Sequence, residues 1–125
     1  MTGWLVDTHV LLWAWGDVER LSEPARAVLA DPRAPLVVST VTLWEIAVKR
    51  GLGKLRVPKD YPAMLDDGFT ILPVLAQHAH AVAELPTDRH RDPFDRMLAV
   101  QSKVESLPII SADEAFDQYK VARLW

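Results

Sequence analysis

Short apolar runs alternate with longer helix-patterned stretches along this chain of 125 residues. Trp4-Leu5-Val6 reads as a buried strand halted at Asp7-Thr8, after which Val10, Leu11, Trp13 and Trp15 continue as a helix to Gly16-Asp17. Ser22 before Glu23-Pro24 has the form of an N-cap and first turn, predicting a helix through Leu29 that Asp31-Pro32 ends. Leu36-Val37-Val38 predicts a second strand, with Ser39 capping a helix from Thr40 to Arg50 and Gly51-Leu52-Gly53 closing it. A further helix is expected over Pro58 to Asp67, stopped by Gly68, followed by a third strand at Phe69-Thr70-Ile71-Leu72 and a helix over Leu75 to Glu84. After a polar loop, Leu85 to Arg91, Asp92-Pro93 opens the strongest helical pattern, which runs to Glu105. Pro108-Ile109-Ile110 is the fourth strand, Ser111-Ala112-Asp113-Glu114 begins a short helix, and Val121 to Leu124 is a possible fifth strand.

Strands alternating with helices predict an α/β fold, and strands without polar alternation predict a parallel sheet covered on both faces. Linkers, repeats and low-complexity segments are absent, so residues 1–125 are expected to form a single domain. With no cysteine, disulfides, thiolate zinc sites, iron–sulfur clusters and a cysteine nucleophile are excluded. A net charge of −3 argues against coating nucleic acid through bulk charge and leaves room only for a local basic patch. Lys49, Arg50, Lys54 and Arg56 are the candidate patch, although most such stretches are simply solvated faces. No apolar run approaches the roughly 18 residues of a membrane span, and Asp7 interrupts the first apolar stretch too early for a signal peptide. The expectation is a cytoplasmic protein with no membrane partner.

The carboxylates carry the chemistry. In an open parallel sheet, ligands bind beyond the carboxyl ends of the strands. Asp7 follows the first strand and Asp113 the fourth, while Asp95 lies in the first turn of a crossover helix whose N-terminus returns to the same edge. Glu45 sits in the second turn of the helix after the second strand, about 5–10 Å from that edge. Singly, each has a structural explanation. Asp7 and Asp92 suit N-caps, Glu45 and Lys49 an i,i+4 ion pair, and Ser111 with Glu114 a capping box enclosing Asp113. Together they would repel one another unless a cation neutralised them, and an all-oxygen donor set suits Mg²⁺ or Mn²⁺.

Four stretches carry a family resemblance: Val6-Asp7-Thr8-His9-Val10-Leu11-Leu12-Trp13; Ser39 to Lys49; Leu85-Pro86 with His90-Arg91-Asp92-Pro93-Phe94-Asp95-Arg96-Met97-Leu98; and Ile110-Ser111-Ala112-Asp113. In this order they resemble the PIN-domain ribonucleases of the VapC toxin class, over essentially the full chain, with Tyr119 to Trp125 resembling the usual ending. The resemblance implies a PIN-like fold, a five-stranded parallel β-sheet flanked by α-helices, with an acidic pocket for one or two divalent ions, Mg²⁺ or Mn²⁺. It implies Asp7, Glu45, Asp95 and Asp113 as the catalytic and metal-binding residues, Asp7 and Asp95 as direct ligands. Asp95 is preferred to Asp92 because its interval to Asp113 fits the family's spacing. Thr8 and Ser111 are expected to orient a carboxylate or water through their hydroxyls, and Arg96 to hold a phosphate, tie the acids together or form a structural salt bridge.

The implied activity is metal-dependent hydrolysis of RNA phosphodiester bonds leaving a 5′-phosphate and a 3′-hydroxyl. The implied assembly is a homodimer neutralised by a cognate VapB-type antitoxin that blocks the acidic pocket. The alternative is a PIN-like module that binds nucleic acid or an antitoxin without cleaving. A phosphoacceptor receiver domain fails because Asp7 is unpaired, Leu72-Pro73 stands at the third strand end, and Leu124-Trp125 closes the chain. A dehalogenase-like phosphatase fails because His9 stands where it needs a second acid. Of the remaining candidates, His78 and His80 read as structural, His9 as packed behind the first strand, and His90 as loop packing rather than proton transfer. Asp117 reads as a surface acid and Trp13, Trp15 and Trp44 as core.

Overall fold

Five strands, β1 (Trp4–Val6), β2 (Leu36–Ser39), β3 (Phe69–Leu72), β4 (Ile109–Ile110) and β5 (Arg123–Leu124), form one sheet in the order β3-β2-β1-β4-β5. Every pairing is parallel, as the unbroken apolar strands predict. The structure is a computed structural model that describes residues 1–87 and 92–125. Helices α1 (Thr8–Gly16), α2 (Glu23–Ala30), α3 (Thr40–Gly51), α4 (Tyr61–Leu65), α5 (Ala76–Ala81) and α6 (Pro93–Glu105) flank it.

Successive residues of each central strand point to opposite faces, and this divides the core into two layers. Leu5, Val37, Ile109 and Leu72 pack on one face with Leu98, Ala99 and Phe116. Val6, Val38 and Ile110 pack on the other with Val10, Leu11, Ala25 and Ile46. Gly3, at φ +135°, leads into β1 so close to Pro35 that an added Cβ would lie 2.6 Å from its carbonyl oxygen.

Local capping signals place most helix starts. Ser22 Oγ accepts from the Ala25 amide, Ser39 Oγ from Val41, and Asp92 Oδ1 from Asp95. Three elements differ from expectation. The helix expected over Pro58 to Asp67 is reduced to α4, because Pro62 has no amide hydrogen for the Pro58 carbonyl, which takes the Tyr61 amide in a turn instead. The helix expected to reach Glu84 tightens after α5 into a 3-10 turn, Val82–Glu84. A second 3-10 turn, Val18–Arg20, stands where no element is expected.

The strand order reverses direction between β1 and β4, which are neighbours in the sheet although far apart in sequence. Helices leave such neighbours toward opposite faces and open a crevice at their carboxyl ends. That crevice is where Asp7 and Ser111 emerge.

Candidate active site

Leu5 and Val6 pair with Ile109 and Ile110, so the next residues, Asp7 and Ser111, stand side by side. The Asp7 amide donates to the Ile110 carbonyl at 3.1 Å, continuing the ladder one step past β1. Ser111 Oγ donates to Asp7 Oδ2 at 2.7 Å, and the Thr8 amide donates to Asp7 Oδ1 at 2.8 Å. Both carboxylate oxygens are therefore oriented. Burial pushes the Asp7 carboxyl up from its ordinary value; the Ser111 hydroxyl, the charge of His9 and the Thr8 amide pull it down, and Glu45 raises it further.

Glu45 enters from α3 and is 3% exposed. Its Oε2 accepts from Lys49 Nζ at 2.5 Å, so the i,i+4 pair forms, but with the carboxylate in the interior rather than on a solvated face. Its Oε1 is buried without a hydrogen-bond partner. Desolvation lowers the Lys49 pKa, yet Glu45, Asp92 and Asp95 together leave it above its ordinary value. Electrostatics thus link Asp7 to Glu45, Glu45 to Lys49, and Lys49 to Asp95.

Asp95 is half-buried in the first turn of α6. Asp113 is exposed and shares a cavity of about 330 Å³ with Asp7, His9, Trp13, Arg20 and Ala112. Its amide donates to Ser111 Oγ at 3.0 Å and its carboxylate accepts from the Ala115 amide at 2.9 Å. Asp113 is thus itself the cap of the 3-10 turn Glu114–Tyr119, and the expected Ser111–Glu114 capping box is replaced because the Ser111 hydroxyl turns back to Asp7. Among the described residues, no three His, Cys, Asp or Glu side chains stand close enough to hold one ion as a ready-made cage.

Of the supporting residues, Ser111 turns its hydroxyl to Asp7, whereas Thr8 and Arg96 act differently from expectation. The Thr8 hydroxyl donates to Thr42 Oγ1 at 3.0 Å, joining the first turns of α1 and α3, and it is the Thr8 amide that orients Asp7. The Arg96 guanidinium is buried, donating to the carbonyls of Pro86 at 2.5 Å and Val82 at 3.4 Å, and lies 5.9 Å from the Tyr119 ring centroid. It ties the segment after the Val82–Glu84 turn to α6. His90 lies outside the described residues.

His9 is not packed behind β1: it is exposed and lines the Asp7 cavity, because α1 turns that position outward while Val10 and Leu11 turn in. Trp44 is 57% exposed rather than core, edge-on to Phe94 with ring centroids 4.8 Å apart. Trp13 and Trp15 are half-buried, packed against the core rather than within it. His78 is fully buried whereas His80 is exposed, and Asp117 is an exposed partner of Arg123. Arg20 was not singled out by sequence reasoning. It reaches the cavity from the unexpected Val18–Arg20 turn, and no local pattern in the chain signals that contact.

The family model for the PIN domain matches residues 4–122, nearly the whole chain. The chain belongs to the PIN-domain family, whose members are generally nucleases. Solved structures share the fold. VapBC2 from Rickettsia felis, bound to a DNA fragment from its promoter, aligns with a TM-score of 0.73 at 15% identity, covering 99% of this chain and 98% of that one. DNA-bound VapBC from Salmonella typhimurium gives 0.71 at 18% identity, covering 100% and 98%. FitAcB from Neisseria gonorrhoeae gives 0.69 at 21% identity, covering 100% and 97%. No curated protein matches the sequence significantly.

Proposed function

We propose that this chain, folding as a single PIN unit, is a metal-dependent endoribonuclease toxin of the VapC class. The observation that carries the reading is a pair of buried acids near the sheet's reversal point, one of which keeps an oxygen without a partner. Asp7 is held with its pKa raised by burial, and Glu45 Oε1 has no donor. A buried anionic oxygen with no partner is costly unless a cation is provided. The donors are all oxygen, which fits Mg²⁺ or Mn²⁺; Mg²⁺ commonly takes one or two carboxylates and keeps several waters, so a complete protein cage is not needed.

Asp7 and Asp95 would hold the ion directly, with Glu45 and Asp113 completing the acidic pocket through water or a second ion. When bound, the ion supplies a water of lowered pKa and stabilisation for charge developing on the phosphate. The chain's own part is orientation. Ser111 and the Thr8 amide fix Asp7, Lys49 fixes one oxygen of Glu45 and leaves the other without a partner, and Asp113 is fixed by its cap to Ala115. Arg50, Lys54 and Arg56 are exposed and offer contacts to an RNA backbone, whereas Lys49 is engaged by Glu45.

The VapBC and FitAcB structures support a cognate VapB-type antitoxin as the partner. Exposed Trp44 lines an apolar cavity of about 490 Å³ with Val41, Val74, Val82, Pro93, Arg96 and Met97, which would receive apolar side chains of such a partner. A homodimer acting in the cytoplasm completes the reading; among the described residues no helix is long and apolar enough to cross a membrane. The non-cleaving alternative is favoured by one observation, the lack of a preformed three-ligand cage among the described residues.

The test is cleavage of total cellular RNA by antitoxin-free protein in Mg²⁺, Mn²⁺ or EDTA, with Asp7→Ala as the control. Discrete cuts needing both metal and Asp7, with 5′-phosphate ends, are expected. Intact RNA with a folded, metal-loaded chain that still binds RNA would leave the non-cleaving module.

A further inference from the structure

One wall of the cavity that holds Asp7 and Asp113 is not acidic. It is built from His9, Trp13 and Arg20. The Arg20 guanidinium lies over the Trp13 indole, 4.7 Å from its centroid, while the His9 and Trp125 rings flank the same indole at 6.1 and 5.9 Å. The Arg20 side chain is 60% exposed, so the outer face of the guanidinium is open to solvent. Its nearest carboxylate, Asp17, stands 3.8 Å away, too far for a firm hydrogen-bonded pair.

Such a layer suits a nucleotide. Unpaired bases stack on aromatic rings and on arginine planes, and the edge of a guanidinium offers several donors to phosphate oxygens. At about 330 Å³, the cavity lies within the ordinary range of small-ligand pockets. The two acids in the same cavity repel a phosphate, so a strand approaching them needs a nearby cation and a favourable base contact. Arg20, His9 and Trp13 supply both. A protein partner would find fewer apolar contacts here than at Trp44.

We propose that the Arg20–Trp13 stack, with His9 beside it, holds the base of a single-stranded nucleotide next to the phosphate presented to the acids. This rests on the nuclease reading and assigns specificity-determining residues to it. The stack holds the base by its face, which a duplex does not expose, so it grips unpaired nucleotides and excludes duplex.

Binding is measured by fluorescence anisotropy with the full chain carrying Asp95→Asn, in Mg²⁺, so that strands stay intact. The probes are short fluorescein-labelled oligoribonucleotides of A, C, G or U, a fully abasic ribose-phosphate strand, and an RNA duplex. Trp13→Leu and Arg20→Gln are each expected to weaken binding of the base-bearing strands about tenfold, with Trp13→Phe within about threefold of the parent. The abasic strand is expected to bind about tenfold more weakly than the base-bearing ones to the parent chain, a difference that collapses in Trp13→Leu. Melting curves establish that each variant is folded, and the exposed Arg20→Gln variant carries the test if Trp13→Leu is not. An unchanged preference for bases over the abasic strand in the Arg20→Gln and Trp13→Leu chains overturns the platform alone. Unchanged RNA affinity with loss of a copurifying peptide also overturns it and assigns the stack to a protein contact. Absence of RNA binding together with absence of cleavage by the unsubstituted chain overturns the nuclease reading, and the platform with it.

Discussion

Two buried polar clusters flank α6, and they are built on opposite principles. Near its C-terminus, His78 of α5 is fully buried: its Nδ1 accepts from the Leu75 amide at 2.9 Å and its Nε2 faces Glu105 Oε2 at 2.8 Å. Gln101 joins them by donating to the Pro73 carbonyl at 3.3 Å, and only its neutral Oε1 lacks a partner. In the pocket at the other end, Asp7 is buried with its pKa raised, and the oxygen without a partner, Glu45 Oε1, belongs to an acid. The first cluster leaves only a neutral amide oxygen without a partner and joins α5 to α6. The second leaves an oxygen of a buried acid without a partner, which is costly on burial and is what the proposed cation would offset. Stability and activity should therefore respond in opposite senses when the two are disturbed.

The largest effect is expected on cleavage. Asp7→Ala and Asp95→Asn should each lower the rate by about 10²-fold or more while the fold persists, measured on mapped RNA ends with circular dichroism as the check. Full activity of Asp95→Asn would remove that residue from the site. Next, His78→Ala should lower stability by about 3 kcal/mol, through an empty volume and the loss of partners for the Leu75 amide and Glu105. Cleavage at low temperature should survive it. Denaturant unfolding reads the first effect, and an unchanged midpoint would make the two clusters energetically alike.

A smaller change of opposite sign is expected for Asp7→Asn in EDTA. The folded-state pKa of Asp7 is raised, so its contribution to stability is present in acid and is lost as pH rises through the folded value. At neutral pH the neutral amide should therefore raise Tm, by about 4 °C for each kcal/mol recovered. Added Mg²⁺ should stabilise the parent chain and not the variant. The smallest effect is at the exposed Asp117–Arg123 pair, which includes a contact of 2.9 Å. The Asp117 pKa is lowered by Arg123, so any stability it adds is present above the ordinary carboxylate range and lost as pH falls through the lowered value. Asp117→Asn should differ slightly from the parent near neutral pH and converge with it in acid, as followed by melting curves across pH.

Much of the site was legible as positions and little of it as environment. Asp7, Asp95 and Asp113 could be read at helix starts because strand-to-helix turns have short-range signatures; Asp7 caps α1 and Asp95 stands in the first turn of α6 as expected, whereas Asp113 itself takes the cap expected of Ser111. Glu45 was legible as a partner of Lys49, but not its burial or its orphaned oxygen, which depend on α3 packing against α1 and α6. His9 and Trp44 were misplaced for the same reason. Which side of a short helix faces inward is decided by neighbours remote in sequence, and α1 is apolar nearly all round, so its pattern names no outward face.

The sequence by itself determined the alternation of strands and helices, the parallel class of the sheet and most helix starts. These follow from side-chain period, β-branching and capping hydrogen bonds that act within a few residues. Tertiary structure alone decided the rest. β4 and β5 were legible as short runs, but their two-residue lengths and their places in the sheet are set by the neighbours they pair with. The reversal of strand order beside β1 brings Ser111 to Asp7 across 104 positions of sequence. Burial, and with it the raised pKa of Asp7 and the unpaired oxygen of Glu45, is a property of the space between elements, which no local run of residues encodes.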